Sequence, residues 1–196
     1  MKRKILAVLS IAVLAVIFIG FGFTKNIEME KEYQRAMDRG IEAVKETDYR
    51  AAKIDFQDAL KRKQNDQRAK QTLKQVNTYM DAKKQLSQKH YQEASALFKQ
   101  VAVQDDGINV LIRRASSYHT ELEDVVQEQE AFNKLYKQAA DLSDAGDYFA
   151  SNQKLSPILE YQQIDRSYYD TIRTKAEHLK ESNDEYLRIY GHKPKM

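Results

Sequence analysis

Four histidines, His90, His119, His178 and His192, have the widest chemical repertoire in this chain of 196 residues, and they stand singly. The helical zinc-hydrolase motif places two imidazoles one turn apart, and no His-Glu-x-x-His occurs. The one metal-like pair is His119 with Glu123, a single turn apart. One imidazole and one carboxylate on a charged helix face are more often solvated than liganding. Asp105-Asp106-Gly107 lacks the spaced carboxylates of a calcium loop and reads as a helix stop. Cysteine is absent, which excludes a thiol nucleophile, a disulfide framework, a cysteine zinc site and a lipidated N-terminal Cys. There is no Gly-rich phosphate loop and no Gly-x-Ser-x-Gly. The 12 tyrosines offer faces for base stacking, but most fall on apolar stripes and read as packing. The expectation is a protein that is not an enzyme and has no catalytic, cofactor or metal site.

Charge bounds the partners. The net charge of +3 is supplied by Lys2, Arg3 and Lys4, and the balanced remainder argues against a nucleic-acid binder, which needs excess positive charge to neutralise phosphates. Within that balance two segments differ. Residues 67–101 carry Arg68, Lys70, Lys74, Lys83, Lys84, Lys89 and Lys99 against Asp81 and Glu93. Residues 102–147 hold four basic side chains against ten acidic ones, with Glu121, Glu123, Asp124, Glu128 and Glu130 clustered. The plain reading is two solvated faces. The sharper reading is a basic patch at 67–101 for an anionic envelope polymer or lipid head groups, and an acidic patch for a basic partner.

The elements that would carry these side chains are helices. Gly is 6 and Pro is 2, too few for a turn-rich β fold, and no strand alternation or hairpin signal occurs. The fold class expected is all-α. Residues 1–4 form a basic head, and Ile5 to Phe23 contains no charge. Nineteen helical residues reach roughly 28 Å, the thickness of a hydrocarbon core. A transmembrane signal-anchor over 5–23 would leave the N-terminus cytoplasmic and send 24–196 to the other side. A cleaved signal and a secreted protein is the alternative, because Gly20 and Gly22 stand at −3 and −1 of a cleavage site.

Beyond the anchor one pattern recurs. Tyr49, Ala52, Phe56, Ala59 and Leu60 form one stripe of an amphipathic helix, with small residues where a neighbour must approach closely. The ladder returns as Tyr91, Ala94, Phe98, Val101 and, more loosely, as Tyr148, Ser151, Leu155, Ile158. At the same distance upstream of each Tyr stands Gly40, Ala82 or Ala139. The pattern predicts three antiparallel helical hairpins, with turns at Thr47-Asp48, Lys89-His90 and Ala145-Gly146-Asp147. Asn65-Asp66 offers an N-cap for a helix from 67. The stretch 108–144 is one long helix, or two broken near Thr120, where Thr120-x-x-Glu123 fits a capping box. Ser156-Pro157 predicts a break, and a last helix over about 166–190 caps the array.

These residues resemble the tetratricopeptide repeat. Its pattern of a small residue mid-first-helix, a Gly-Asp-Tyr-type turn, then small, aromatic and small is matched by Gly40, Asp48-Tyr49, Ala52, Phe56 and Ala59. Gly146-Asp147-Tyr148 reproduces the turn. The units fall at about 33–66, 75–108 and 132–165. Tyr49 to Tyr91 is 42 residues and Tyr91 to Tyr148 is 57, so the array is irregular. The resemblance implies a solenoid whose first helices line a groove for a protein or peptide partner. The groove residues implied are Met37, Ile41 and Lys45, then Val76, Tyr79, Met80 and Lys83, then Tyr136 and Lys137. The expected function is a membrane-anchored, extracytoplasmic interaction scaffold of a bacterial-type cell envelope. A wall-associated binder of anionic polymer through 67–101 is the alternative.

Overall fold

The computed structural model describes residues 25–191. Among them the chain is all-α, with seven helices and no strand. Helix α1 covers 25–45, followed by α2 Tyr49–Arg62, α3 Gln67–Ser87, α4 Tyr91–Ala102, α5 Asn109–Asp144, α6 Tyr148–Leu159 and α7 Asp170–Tyr190. The chain parts into two compact units, one of 25–83 with 97–117 and one of 84–96 with 118–191, so α3, α4 and α5 contribute to both. The basic head and the expected membrane segment 5–23 lie outside the described residues. Within those residues no helix is long and apolar enough to cross a membrane.

Three turns share one hydrogen-bond register. Thr47 N donates to Val44 O at 3.2 Å and Asp48 N to Ala43 O at 2.9 Å. Lys89 N and His90 N bond Leu86 O and Gln85 O, both at 3.0 Å, and Gly146 N and Asp147 N bond Ser143 O and Leu142 O at 2.8 and 2.9 Å. In each, the first donor is left-handed, with φ of 67° at Thr47, 62° at Lys89 and 80° at Gly146. This paired bond closes the last carbonyls of a helix that ends in a left-handed residue. Only the third turn uses glycine, and Thr47, being β-branched, sits there against its own preference. Two of the turns then start the next helix in the same way. Asp48 Oδ1 accepts from Ala51 N at 2.9 Å, and Asp147 Oδ1 from Ala150 N at 3.1 Å.

In the first unit the α1–α2 contact is set by Gly40. A Cβ there would lie 2.5 Å from Phe56 Cε1, so the aromatic ring occupies the space a side chain would need. Ala52, Phe56 and Ala59 are fully buried, as the stripe requires. Tyr79 is wedged between Tyr49 and Phe98, ring centroids 4.9 and 5.4 Å away. Arg39 reaches across the hairpin to Asp55 at 2.8 Å. The N-cap of α3 is Asp66, whose Oδ1 accepts from Ala69 N at 2.8 Å and from Tyr33 OH at 2.7 Å. Those two bonds, the amide's first, hold the Asp66 carboxyl below its usual range. Burial, then the bond to Asp66, pushes the Tyr33 phenol up to about 12.

The second unit is held differently. Asn183 is fully buried on α7, where its Oδ1 accepts from Ser143 Oγ at 2.6 Å. Its Nδ2 donates to Ser151 Oγ at 2.8 Å and to Asn152 Oδ1 at 2.9 Å. Ser151 Oγ in turn donates to Ala139 O at 2.8 Å. Every arm of this network is satisfied, so burying it carries no orphaned group. Phe132 packs edge-on against Tyr161 and Tyr169, which anchor the irregular connection between α6 and α7.

One alternative is decided and three local expectations need correcting. The stretch after Asn109 is one helix of 36 residues without a break at Thr120. Thr120 is exposed, and the apolar residues on either side continue one buried stripe, so nothing favours a non-helical cap there. Ser156-Pro157 starts no helix, because α6 runs through Pro157 and stops at Leu159. Only the last turn meets the proline's missing N–H, and Ser156 Oγ bonds back to Asn152 O at 3.3 Å instead of capping forward. The capping helix begins at Asp170 and not near 166. Gly107 does not end α4, which stops at Ala102. It is glycine because a Cβ there would collide with the Gln75 amide.

Candidate functional site

The nine residues expected to line a groove divide by burial. Met37, Val76 and Tyr79 are closed into the core of the first unit at 1%, 0% and 2% exposure, so they are packing residues and not part of a surface. They follow the helical spacing of α1 and α3, and that spacing is the same whether an apolar face meets a partner or a neighbouring helix. Tyr136 is half-buried and Lys137 exposed on α5, in the second unit. The other four gather in two clefts of the first unit.

The first cleft, of about 490 Å³, opens beside the α1–α2 turn. Glu46, Thr47, Asp48, Tyr49 and Arg50 form one wall, and Met80 and Lys83 of α3 form the other. Its apolar surface is the Tyr49 ring and the half-buried Met80 thioether, whose flexibility suits a contact of variable shape. Charged side chains from both helices surround that surface.

The second cleft, also of about 490 Å³, has another character. Ile41 and Lys45 come from the end of α1, Arg68 and Thr72 from the start of α3. Asp106, Gly107, Ile108, Asn109, Val110 and Arg113 come from the entry into α5. Lys45 pairs with Glu42 at 2.8 Å, an exposed contact of little strength. Arg68 and Arg113 are exposed and form no close ion pair among the described residues, although the Asp66 carboxylate feels the charge of Arg68. The first turn of α5 contains no acidic residue. Beneath Gly107 lies Gln75, 1% exposed, whose Oε1 accepts from Ile108 N at 2.8 Å and whose Nε2 has no acceptor.

Arg114, next in sequence to Arg113, is structural. Its guanidinium donates to Val44 O at 2.6 Å, Lys45 O at 2.8 Å and Tyr49 OH at 3.2 Å. A cation at a helix C-terminus satisfies free carbonyls and meets the negative end of the dipole. Arg114 therefore fixes the end of α1 from which Lys45 projects. The sequence held one signal for the pair, two adjacent arginines inside an otherwise acidic stretch.

No family model, curated protein or solved structure matches this chain.

One constellation in the second unit has the residue types of nucleophilic catalysis. Ser95 Oγ lies 2.8 Å from His119 Nδ1, and His119 Nε2 is 3.5 Å from Glu123 Oε1. The sequence reading paired His119 with Glu123 and missed Ser95, which lies 24 residues upstream on α4. Ser95 is 7% exposed and sits inside a helix whose interior amides are committed to backbone bonds, so none is free to stabilise an oxyanion. The serine–histidine bond joins α4 to α5. Among the described residues no group of three or more metal-ligating side chains converges.

Proposed function

We propose that this chain is an interaction scaffold, anchored through 5–23 with its helical domain extracytoplasmic, that engages a protein or peptide partner at the Tyr49–Met80–Lys83 cleft. The hairpins are read as diverged tetratricopeptide-like units. The observation supporting this is the cleft itself, an apolar floor left open between two helices and bordered by both signs of charge. Such a surface accepts an apolar side chain of a peptide while its rim selects the flanking charges. Buried Tyr79, its ring 4.9 Å from that of Tyr49, supports the floor from behind and takes no part in contact.

Site-specific photo-crosslinking in intact cells tests the reading. A photoreactive residue at Met80 should yield an adduct of defined mass, whereas one at exposed Lys175 of α7 should not. Met80→Ser should reduce capture of the crosslinked species tenfold or more, about 1.4 kcal/mol, with the melting temperature little changed. Equal crosslinking at both positions would remove the cleft from consideration.

A further inference from the structure

The cleft at the entry to α5 brings three cations together beside the start of a helix. Cations are destabilising near the positive end of a helix and acids are stabilising there. Yet α5 has no acid in its first turn and carries Arg113 in its second. Arg114 discharges that conflict by capping α1, but Arg113 has no carboxylate partner among the described residues. Arg68 arrives from α3 and Lys45 from α1, so three cations from three helices line one recess with the single carboxylate of Asp106. The first amides of α5, Asn109 and Val110, have no helical carbonyl behind them and line the same recess. The buried Gln75 Nε2, a donor with no acceptor, abuts its wall at Gly107.

We propose that this recess binds the phosphate group of a hydroxylated phosphate ester, of the glycerophosphoryl class. Arginine forks and a helix N-terminus are the groups that hold phosphate oxygens. Cations arriving from three helices suit a tetrahedral oxyanion, which offers acceptors in three directions, better than a planar carboxylate, which offers two in one plane. The volume of about 490 Å³ exceeds what phosphate alone fills. Asp106 repels a bare anion but accepts a hydrogen bond from a hydroxyl on the ester's alcohol. The recess shares no lining residue with the Tyr49–Met80 cleft, so this proposal and the protein-partner reading stand or fall separately.

The full chain in neutral detergent is titrated calorimetrically with glycerol phosphate, a soluble glycerophosphate polymer and inorganic phosphate. A parallel arm reconstitutes it in phosphatidylcholine discs with and without phosphatidylglycerol, and reads protection of the cleft by hydrogen exchange. Binding of the soluble esters, at least threefold tighter than inorganic phosphate, is expected if the ligand is a free or polymeric ester. Protection that needs phosphatidylglycerol identifies the lipid head group as its source. In either arm Arg68→Gln with Arg113→Gln should lose tenfold or more. Lys70→Gln with Lys74→Gln removes the same charge from exposed positions of α3 outside the cleft and should lose less than twofold. If the double cleft variant loses its cooperative melt, Arg113→Gln alone is read against Lys74→Gln. Equal losses in cleft and control variants, or no ester-dependent signal in either arm, would overturn the proposal.

Discussion

The hairpin of α1 and α2 and the hairpin of α5 and α6 turn through the same pair of backbone bonds and the same aspartate cap, yet they are locked by opposite chemistry. The first closes on shape: a glycine leaves a hole and Phe56 fills it. The second closes on a hydrogen-bond circuit, with α7 supplying Asn183 to Ser143, Ser151 and Asn152. Where the first stripe carries Ala52, the third carries Ser151, and its hydroxyl is what admits the circuit. An identical turn thus constrains the entry of a second helix without deciding what fixes it in place. Apolar closure tolerates small displacements, whereas a satisfied polar circuit accepts one register only.

The comparison predicts two large and different losses. Phe56→Ala should cost about 3–5 kcal/mol by opening a cavity beside a glycine that cannot fill it. Asn183→Ala should cost about 2–4 kcal/mol, because buried Ser151 and half-buried Ser143 and Asn152 lose an acceptor or a donor together. Chemical denaturation measures both. Hydrogen exchange should place the first loss in 25–62 and the second in 139–190. An Asn183→Ala variant as stable as the parent would mean that the circuit is incidental and that both hairpins close on apolar contact.

Much of the apolar closure was legible in the sequence, because a small residue at Gly40 and an aromatic at Phe56 announce a close helix pair by spacing alone. The three turns were legible for the same reason. The polar circuit was not, since Asn183 lies in the run Glu181-Ser182-Asn183-Asp184, where three polar neighbours make a solvated face the natural reading. Gly107 was misread because its requirement comes from Gln75, far away in the chain. The clefts were legible in part. Ile41, Lys45, Met80 and Lys83 reach them, while Met37, Val76 and Tyr79 share the same periodicity and face inward. Arg113 could not be placed until the start of α5 was known.

Smaller effects sharpen the contrast further. Asp66 caps α3 in the first unit, and its folded-state pKa is depressed. Its contribution is therefore fully present above the unfolded value, about pH 4, and is lost as pH falls through the folded value. Asp66→Asn keeps an acceptor for Ala69 N but cannot titrate, so its stability should fall less steeply than the parent's as pH drops below about 4. Melting curves across that range would show it, and parallel acid limbs would contradict the assignment. The smallest expected effect is a gain. Thr47→Gly relieves a β-branched residue held at φ 67° and should stabilise the first turn by about 0.5–1 kcal/mol. The reverse substitution Gly146→Thr should destabilise the third turn. If Thr47→Gly destabilises instead, the two turns are not equivalent.

Arg114 has a consequence for the order in which the chain is assembled during synthesis. The carbonyls it caps, Val44 and Lys45, are made 70 and 69 residues earlier. At ribosomal speeds of about 5–20 residues per second, the end of α1 waits roughly 3.5 to 14 s for its guanidinium. Until then Val44 O has only its turn bond from Thr47 N, and Lys45 O has water alone. The nascent first hairpin is thus a longer-lived open species than its short turn would suggest, and it is completed from the far side by a helix that has scarcely begun.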